Sequence, residues 1–229
     1  MSTSQPGELQ TDTPLGLAFR LVQPVPAQPA RCVILLHGVG SNEANMASLA
    51  EGISPDTLVI LARGPLTLGP GQYAWFRVAF GANGPSANTV EAESSRQALI
   101  HFVQQVQATY GITPAHTVIA GFSQGGIMSA SVGLSAPELV AGFGVLSGRI
   151  LPELAPHLAP QAQLSKLKAF VGHGEHDGVL PVAWAHKSDT WLTELGVPHE
   201  FHLYPMDHGI SYEIHANFLT WLAGVCPQT

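Results

Sequence analysis

Runs of apolar, often β-branched residues alternate along this chain with longer stretches whose apolar positions repeat at helical spacing. Cys32-Val33-Ile34-Leu35-Leu36 is a continuous apolar run of the length expected for a central parallel strand. Similar runs at Thr57–Leu61, Thr117–Ala120, Ala141–Leu146 and Leu167–Val171 predict further strands, with Leu17–Val22 as the first and the more mixed His199–Tyr204 as the last. Between them, Ala92, Ser95, Leu99, Phe102, Val103 and Val106 mark one face of a helix over Val90–Tyr110. Shorter helices are expected over Asn45–Glu51, from Ser123 onward, over Val182–Leu195 and over Tyr212–Ala223. The segment Pro24–Pro29 reads as a rigid turn. Gly64–Asn88, rich in Gly and Pro, reads as too irregular for regular structure. Strands separated by helices predict βαβ crossovers and a mostly parallel sheet in one α/β domain over 1–229, with 1–14 flexible or peripheral.

Composition narrows the function classes. Hydrophobic residues make up 45% of the 229 positions and charged residues 11%, so the chain folds rather than staying disordered. A net charge of −7 with 9 Lys+Arg and no basic cluster argues against nucleic acid and anionic membranes as partners. Cys32 and Cys226 are too few for a disulfide framework. The amino terminus has neither a basic region nor an apolar one, and no apolar run approaches the ~18 residues that span a bilayer. The expectation is a cytoplasmic protein without integral membrane association.

In parallel α/β sheets the chemistry sits beyond the carboxyl ends of the strands. The Thr117 strand runs into Gly121-Phe122-Ser123-Gln124-Gly125-Gly126, and a helical pattern begins at once. G-x-S-x-G alone is a weak signal. Between a strand and a helix it is the setting of a nucleophile elbow, with the Ser123 hydroxyl held near the positive end of a helix. After the Cys32 strand comes His37-Gly38-Val39-Gly40, whose uncrowded backbone allows the Val39 amide to face a bound carbonyl oxygen. The Gln124 amide would be the second donor of an oxyanion hole. The Leu167 strand leads to Gly172-His173-Gly174-Glu175-His176-Asp177-Gly178. Glu175 and Asp177 both qualify as the acid that orients an imidazole, and Asp177, deeper in the turn, is preferred; either acid could instead cap the next helix. His173, His176 and Asp177 could also be metal ligands, but no zinc or iron spacing completes the set, so neither metal nor cofactor is expected. After the last strand, Asp207-His208-Gly209 places His208 at the same sheet edge and completes the chain order Ser…Asp…His.

These motifs together resemble the phospholipase/carboxylesterase family of small α/β-hydrolases, which includes acyl-protein thioesterases and lysophospholipases. The resemblance spans roughly residues 15–224, and Ala74-Trp75-Phe76 is similar to the aromatic segment that members carry before the long helix. It implies an α/β-hydrolase fold without a large cap, acting on small-molecule esters or thioesters, often as a dimer and without cofactor or metal. One departure is Ser41-Asn42, where many members have an acidic residue. Leu66, Leu68, Trp75, Phe76 and Val179 are the candidate substrate contacts, and an apolar, uncharged lining would favour neutral acyl groups. The expected activity is a carboxylesterase acting on short-to-medium acyl esters. The alternatives are acyl-protein thioesterase or lysophospholipase activity, a peptidase, and a silent binding protein on the same scaffold. Ser123, Asp177 and His208, all present, argue against the last.

Overall fold

The computed structural model describes residues 5–11, 14–81 and 84–226. Residues 1–4, 12–13, 82–83 and 227–229, which fall within the expected N-terminal segment, hairpin region and domain span, lie outside the described residues. Eight strands form one sheet: β1 (Gln5–Pro6), β2 (Phe19–Gln23), β3 (Arg31–Leu36), β4 (Thr57–Ala62), β9 (Thr117–Phe122), β10 (Gly142–Leu146), β11 (Lys168–Gly174) and β12 (His199–Tyr204). Their order across the sheet is β1-β2-β4-β3-β9-β10-β11-β12. The six strands from β4 to β12 pair in parallel, and β1 and β2 are antiparallel additions at one edge. The N-terminal segment is therefore peripheral but paired, with the Gly7 amide donating to Leu21 O at 2.8 Å.

The apolar runs make sense once both faces are covered. Cys32, Ile34 and Leu36 of β3 turn to one face, where they meet Leu99, Phe102 and Val103 of α1 (Thr89–Tyr110) and the buried α2 (Gln124–Ser135). Val33 and Leu35 turn to the other, against Ile214, Phe218 and Trp221 of α5 (Tyr212–Val225). A strand buried on both faces has no polar side to show, which is why the pattern is continuous rather than alternating. The first face also receives Leu192 of α4 (Ala183–Glu194). Asn42 caps a 3₁₀ helix over Glu43–Ala50, its side chain accepting from the Ala44 amide; the expected helix there is thus tighter and begins two residues earlier. A one-turn α3 (Gln161–Leu164) comes after the proline-containing loop.

The Gly64–Asn88 segment corrects the expectation of irregular structure. It folds into two hairpins, β5 (Leu66–Gly69) with β6 (Gln72–Ala74) and β7 (Val78–Gly81) with β8 (Gly84–Ala87). Gly71, at φ 68°, supplies the left-handed turn that closes the first. Strands of three or four residues interrupted by Gly and Pro leave too little period-two pattern to detect. The first hairpin meets the loop after β3, where the Gly40 amide donates to Tyr73 O, and the second brings Val78 and Ala87 beside Ser123; among the described residues there is no cap domain beyond them.

Candidate active site

The chain leaves β9 through Ser123 at φ 53° and ψ −115° and enters α2 with the next residue. A non-glycine residue avoids this backbone region unless its surroundings impose it. Here the imposition is visible: the Ser123 amide donates to Leu146 O at the end of β10, 2.8 Å away. The turn also depends on bare backbone around it. A Cβ on Gly125 would lie 2.1 Å from Leu36 O, and one on Gly121 would lie 2.4 Å from the Gly125 carbonyl carbon. The glycines of the motif thus let α2 start directly against β3.

The Ser123 hydroxyl lies 3.0 Å from His208 Nε2, and His208 Nδ1 lies 2.7 Å from Asp177 Oδ2. A carboxylate only accepts, so the imidazole proton sits on Nδ1 and Nε2 is left to accept from the hydroxyl. The other oxygen of Asp177 accepts from the Val179 and Leu180 amides at 2.9 and 2.8 Å. The Phe122 ring packs against the imidazole, with centroids 4.9 Å apart. Asp177 is buried, whereas Glu175 and His176 are exposed. Of the two acids in the loop, Asp177 is the one brought to His208.

His173 is fully buried, with Nε2 2.8 Å from Leu180 O and 3.2 Å from Asp177 Oδ2. Burial pushes its pKa down, so the ring stays neutral and its single proton faces these two oxygens. The ring therefore braces the acid's turn. His37 does the same for the first glycine loop. Its Nε2 accepts from the Gly64 amide at 2.9 Å, and its Nδ1 donates to Gly38 O at 2.8 Å. Burial lowers this pKa too.

Ser123 opens onto a cleft of about 60 Å³ lined by Val39, Phe76, Val78, Ile127, Val179 and Arg149, among others. Of the candidate substrate contacts, Phe76 and Val179 line this cleft. Leu66, Leu68 and Trp75 are not part of this lining. Trp75 is fully buried behind it, its indole N–H donating to His37 O at 3.0 Å. The lining is not uncharged: beside the apolar side chains and the polar Ser123 and Gln124 it holds the cation of Arg149, stacked 4.3 Å over the Trp184 ring, its pKa lowered by burial. No apolar periodicity announces such a residue, because it lies past the end of β10.

Gln124 has a role that its motif did not suggest. Its side-chain oxygen accepts from the Trp75 amide at 2.8 Å, and its nitrogen donates to Phe76 O at 2.7 Å. The buried amide therefore imitates a strand partner for Trp75–Phe76 and clamps the cleft wall to the start of α2. Ser41-Asn42 remains without an acid, but one position further on stands Glu43. Glu43 accepts from Arg20 at 2.7 Å and from two nitrogens of Arg63 at 2.6 and 2.8 Å. Burial opposes its charge, but the Arg63 and Arg20 hydrogen bonds outweigh that and hold the carboxyl at about 2.

A model of the phospholipase/carboxylesterase family matches residues 19–224. An acyl-protein thioesterase 1 from Neurospora crassa is 30% identical over 84% of this chain and 86% of its own length. The protein of the same name from Kluyveromyces lactis is 30% identical over 69% and 75%. Among solved structures, a carboxylesterase from Mesorhizobium loti superposes with a TM-score of 0.80 at 23% identity, covering 97% of this chain and all of that one, a likeness of fold. The esterase PE8 superposes at 0.75 with 26% identity, over 88% and 96%. A strand-to-helix serine, an acid and a histidine from later strands of one parallel sheet, and a family match across nearly the whole chain lead to one assignment: this chain belongs to the phospholipase/carboxylesterase family of α/β-hydrolases.

Proposed function

We propose that the chain is a serine carboxylesterase that cleaves short-to-medium acyl esters through an acyl-serine intermediate. The observation that carries the reading is the hydrogen-bonded series Ser123–His208–Asp177, 3.0 and 2.7 Å, at the mouth of a cleft and the amino end of α2. Ser123 attacks the acyl carbonyl while His208 Nε2 takes its proton. Asp177 holds the tautomer and stabilises the imidazolium that forms. The amides of Val39 and Gln124 receive the oxyanion; one such donor is worth about 10²–10³ in turnover. His208 returns the proton to the leaving alkoxide, then activates the water that releases the acid.

The small cleft supports short acyl groups. The thioesterases among the relatives favour a second reading, hydrolysis of acyl thioesters, which the same machinery performs with a thiolate leaving group. A panel of p-nitrophenyl esters from C2 to C16 beside an acyl thioester separates the two. A fluorophosphonate probe should label Ser123 and fail on Ser123→Ala; labelling and activity that survive in the variant would refute the nucleophile. Activity should also persist through exhaustive EDTA treatment, since each step above uses only side chains, backbone amides and water.

Among the described residues no helix is long and apolar enough to cross a membrane. We place the enzyme in the cytoplasm, in keeping with Cys32 and Cys226 as free thiols. Members of the family are often dimeric, and light scattering in solution decides between a monomer and a homodimer for this chain.

A further inference from the structure

Among the described residues only two that are not glycine have positive φ: Ser123, at 53°, and Ser147, at 47°. The first is explained by the nucleophile turn. The second lies at the end of β10, the strand between those that deliver Ser123 and Asp177, and it is fully buried. A residue with a Cβ loses free energy in this conformation, and glycine would not. The side chain held there must therefore do something that glycine could not.

What it does is visible in its bonds. The Ser147 hydroxyl donates to Gly209 O at 2.8 Å, a carbonyl next in sequence to His208. Its amide donates to Gly172 O of β11 at 2.8 Å. One residue earlier, Leu146 O receives the Ser123 amide; one residue later, a Cβ on Gly148 would come within 2.9 Å of Ser123 O. Three consecutive residues, 146–148, thus touch the serine turn on one side and the histidine loop on the other. His208 stands on an irregular segment between β12 and α5, so its position depends on tethers of this kind.

We propose that Ser147 is a positioning residue that sets the separation of Ser123 and His208 by anchoring the Gly209 carbonyl. The left-handed backbone aims the hydroxyl across the gap, and the strain at φ 47° is the cost of that aim. The proposal rests on the reading of Ser123 as nucleophile and His208 as base. Proton transfer is steep in distance, and a misplacement of about 1 Å can lower turnover by about 10²-fold.

The test compares Ser147→Gly and Ser147→Ala. Both remove the tether, but only glycine relieves the backbone. Glycine should be at least as stable as alanine by thermal unfolding. Yet both should lose about 10–100-fold in kcat on p-nitrophenyl butyrate, with KM within about threefold of wild type, and both should be phosphonylated correspondingly slowly. If Ser147 only supported the fold, activity would track stability and glycine would be the more active. That ordering overturns the proposal, as does a loss under tenfold in both variants. Wild-type enzyme in the same assay keeps the two readings apart. If it hydrolyses no ester and Ser123 is not labelled, the nucleophile assignment falls and takes this proposal with it. If wild type is labelled and the variants match it, only the Ser147 proposal falls.

Discussion

Replacing Gln124 by leucine tests whether the cleft wall is held by a side chain rather than by packing. The substitution keeps the backbone amide that opens α2 but deletes two hydrogen bonds, leaving the Trp75 N–H and the Phe76 carbonyl buried without partners. Each orphaned group costs about 1–3 kcal/mol, so the pair should cost about 4 kcal/mol. In a chain of this size that corresponds to a fall in Tm of about 8–16 °C. Urea unfolding at neutral pH measures it directly, as a lowered midpoint at constant m. Gln124→Glu refines the measurement. Glutamate keeps an acceptor for Trp75 but offers a carboxylate to the Phe76 carbonyl unless it is protonated. Its folded-state pKa should therefore be raised. The stability of this variant relative to wild type should be best below about pH 4.3 and worsen as pH rises above it. A leucine variant that loses less than about 1 kcal/mol would refute the clamp, because neither group could then be dry and unpartnered.

The same geometry sets further expectations. Asp177→Asn can keep its oxygen toward the Val179 and Leu180 amides while its NH₂ faces His208 Nδ1; this forces the imidazole proton onto Nε2, and kcat should fall by about 10⁴, measured with p-nitrophenyl butyrate. Glu175→Gln, at an exposed position, should stay within about twofold in the same assay. Glu43 carries a pKa near 2 against an ordinary value near 4.5, so its contribution, roughly 3 kcal/mol, is present above about pH 4.5 and lost as pH falls toward 2. The stability gap between wild type and Glu43→Gln should accordingly close over that interval in urea titrations. Val179→Trp, at the exposed rim of the cleft, should lower kcat/KM for an octanoate ester relative to acetate by about tenfold with Tm unchanged.

Most of the sheet is legible in the sequence because doubly buried strands are written as unbroken apolar runs: Cys32–Leu36 falls one residue short of β3 and Thr57–Leu61 one residue short of β4, while the edge strand β12, with its mixed His199–Tyr204 pattern, is matched end to end. The site is legible for a different reason. A parallel sheet fixes which edge carries the chemistry, so the residues just past each strand's carboxyl end are the ones to inspect, and Ser123, Asp177 and His208 stand one, three and four residues beyond one. The features that escape detection depend on distance in space rather than pattern in sequence. The hairpins over 66–87 are too short to show a period. Gln124 reaches a segment 48 and 49 positions away, and nothing local marks its side chain as a clamp. Arg149 and Ser147 sit in the loop after β10, where composition says turn and the neighbours supply the meaning.

The single hydrogen bond between Ser123 and His208 joins residues 85 positions apart. The Ser123 turn rests on β3, β9 and β10, whereas the imidazole that it bonds is carried by the segment between β12 and α5. With Ser123 as the proposed nucleophile and His208 as its proposed base, a chain whose carboxyl-terminal third is not in place lacks that base. On that reading, reactivity toward a phosphonate during refolding would report the completion of the whole sheet.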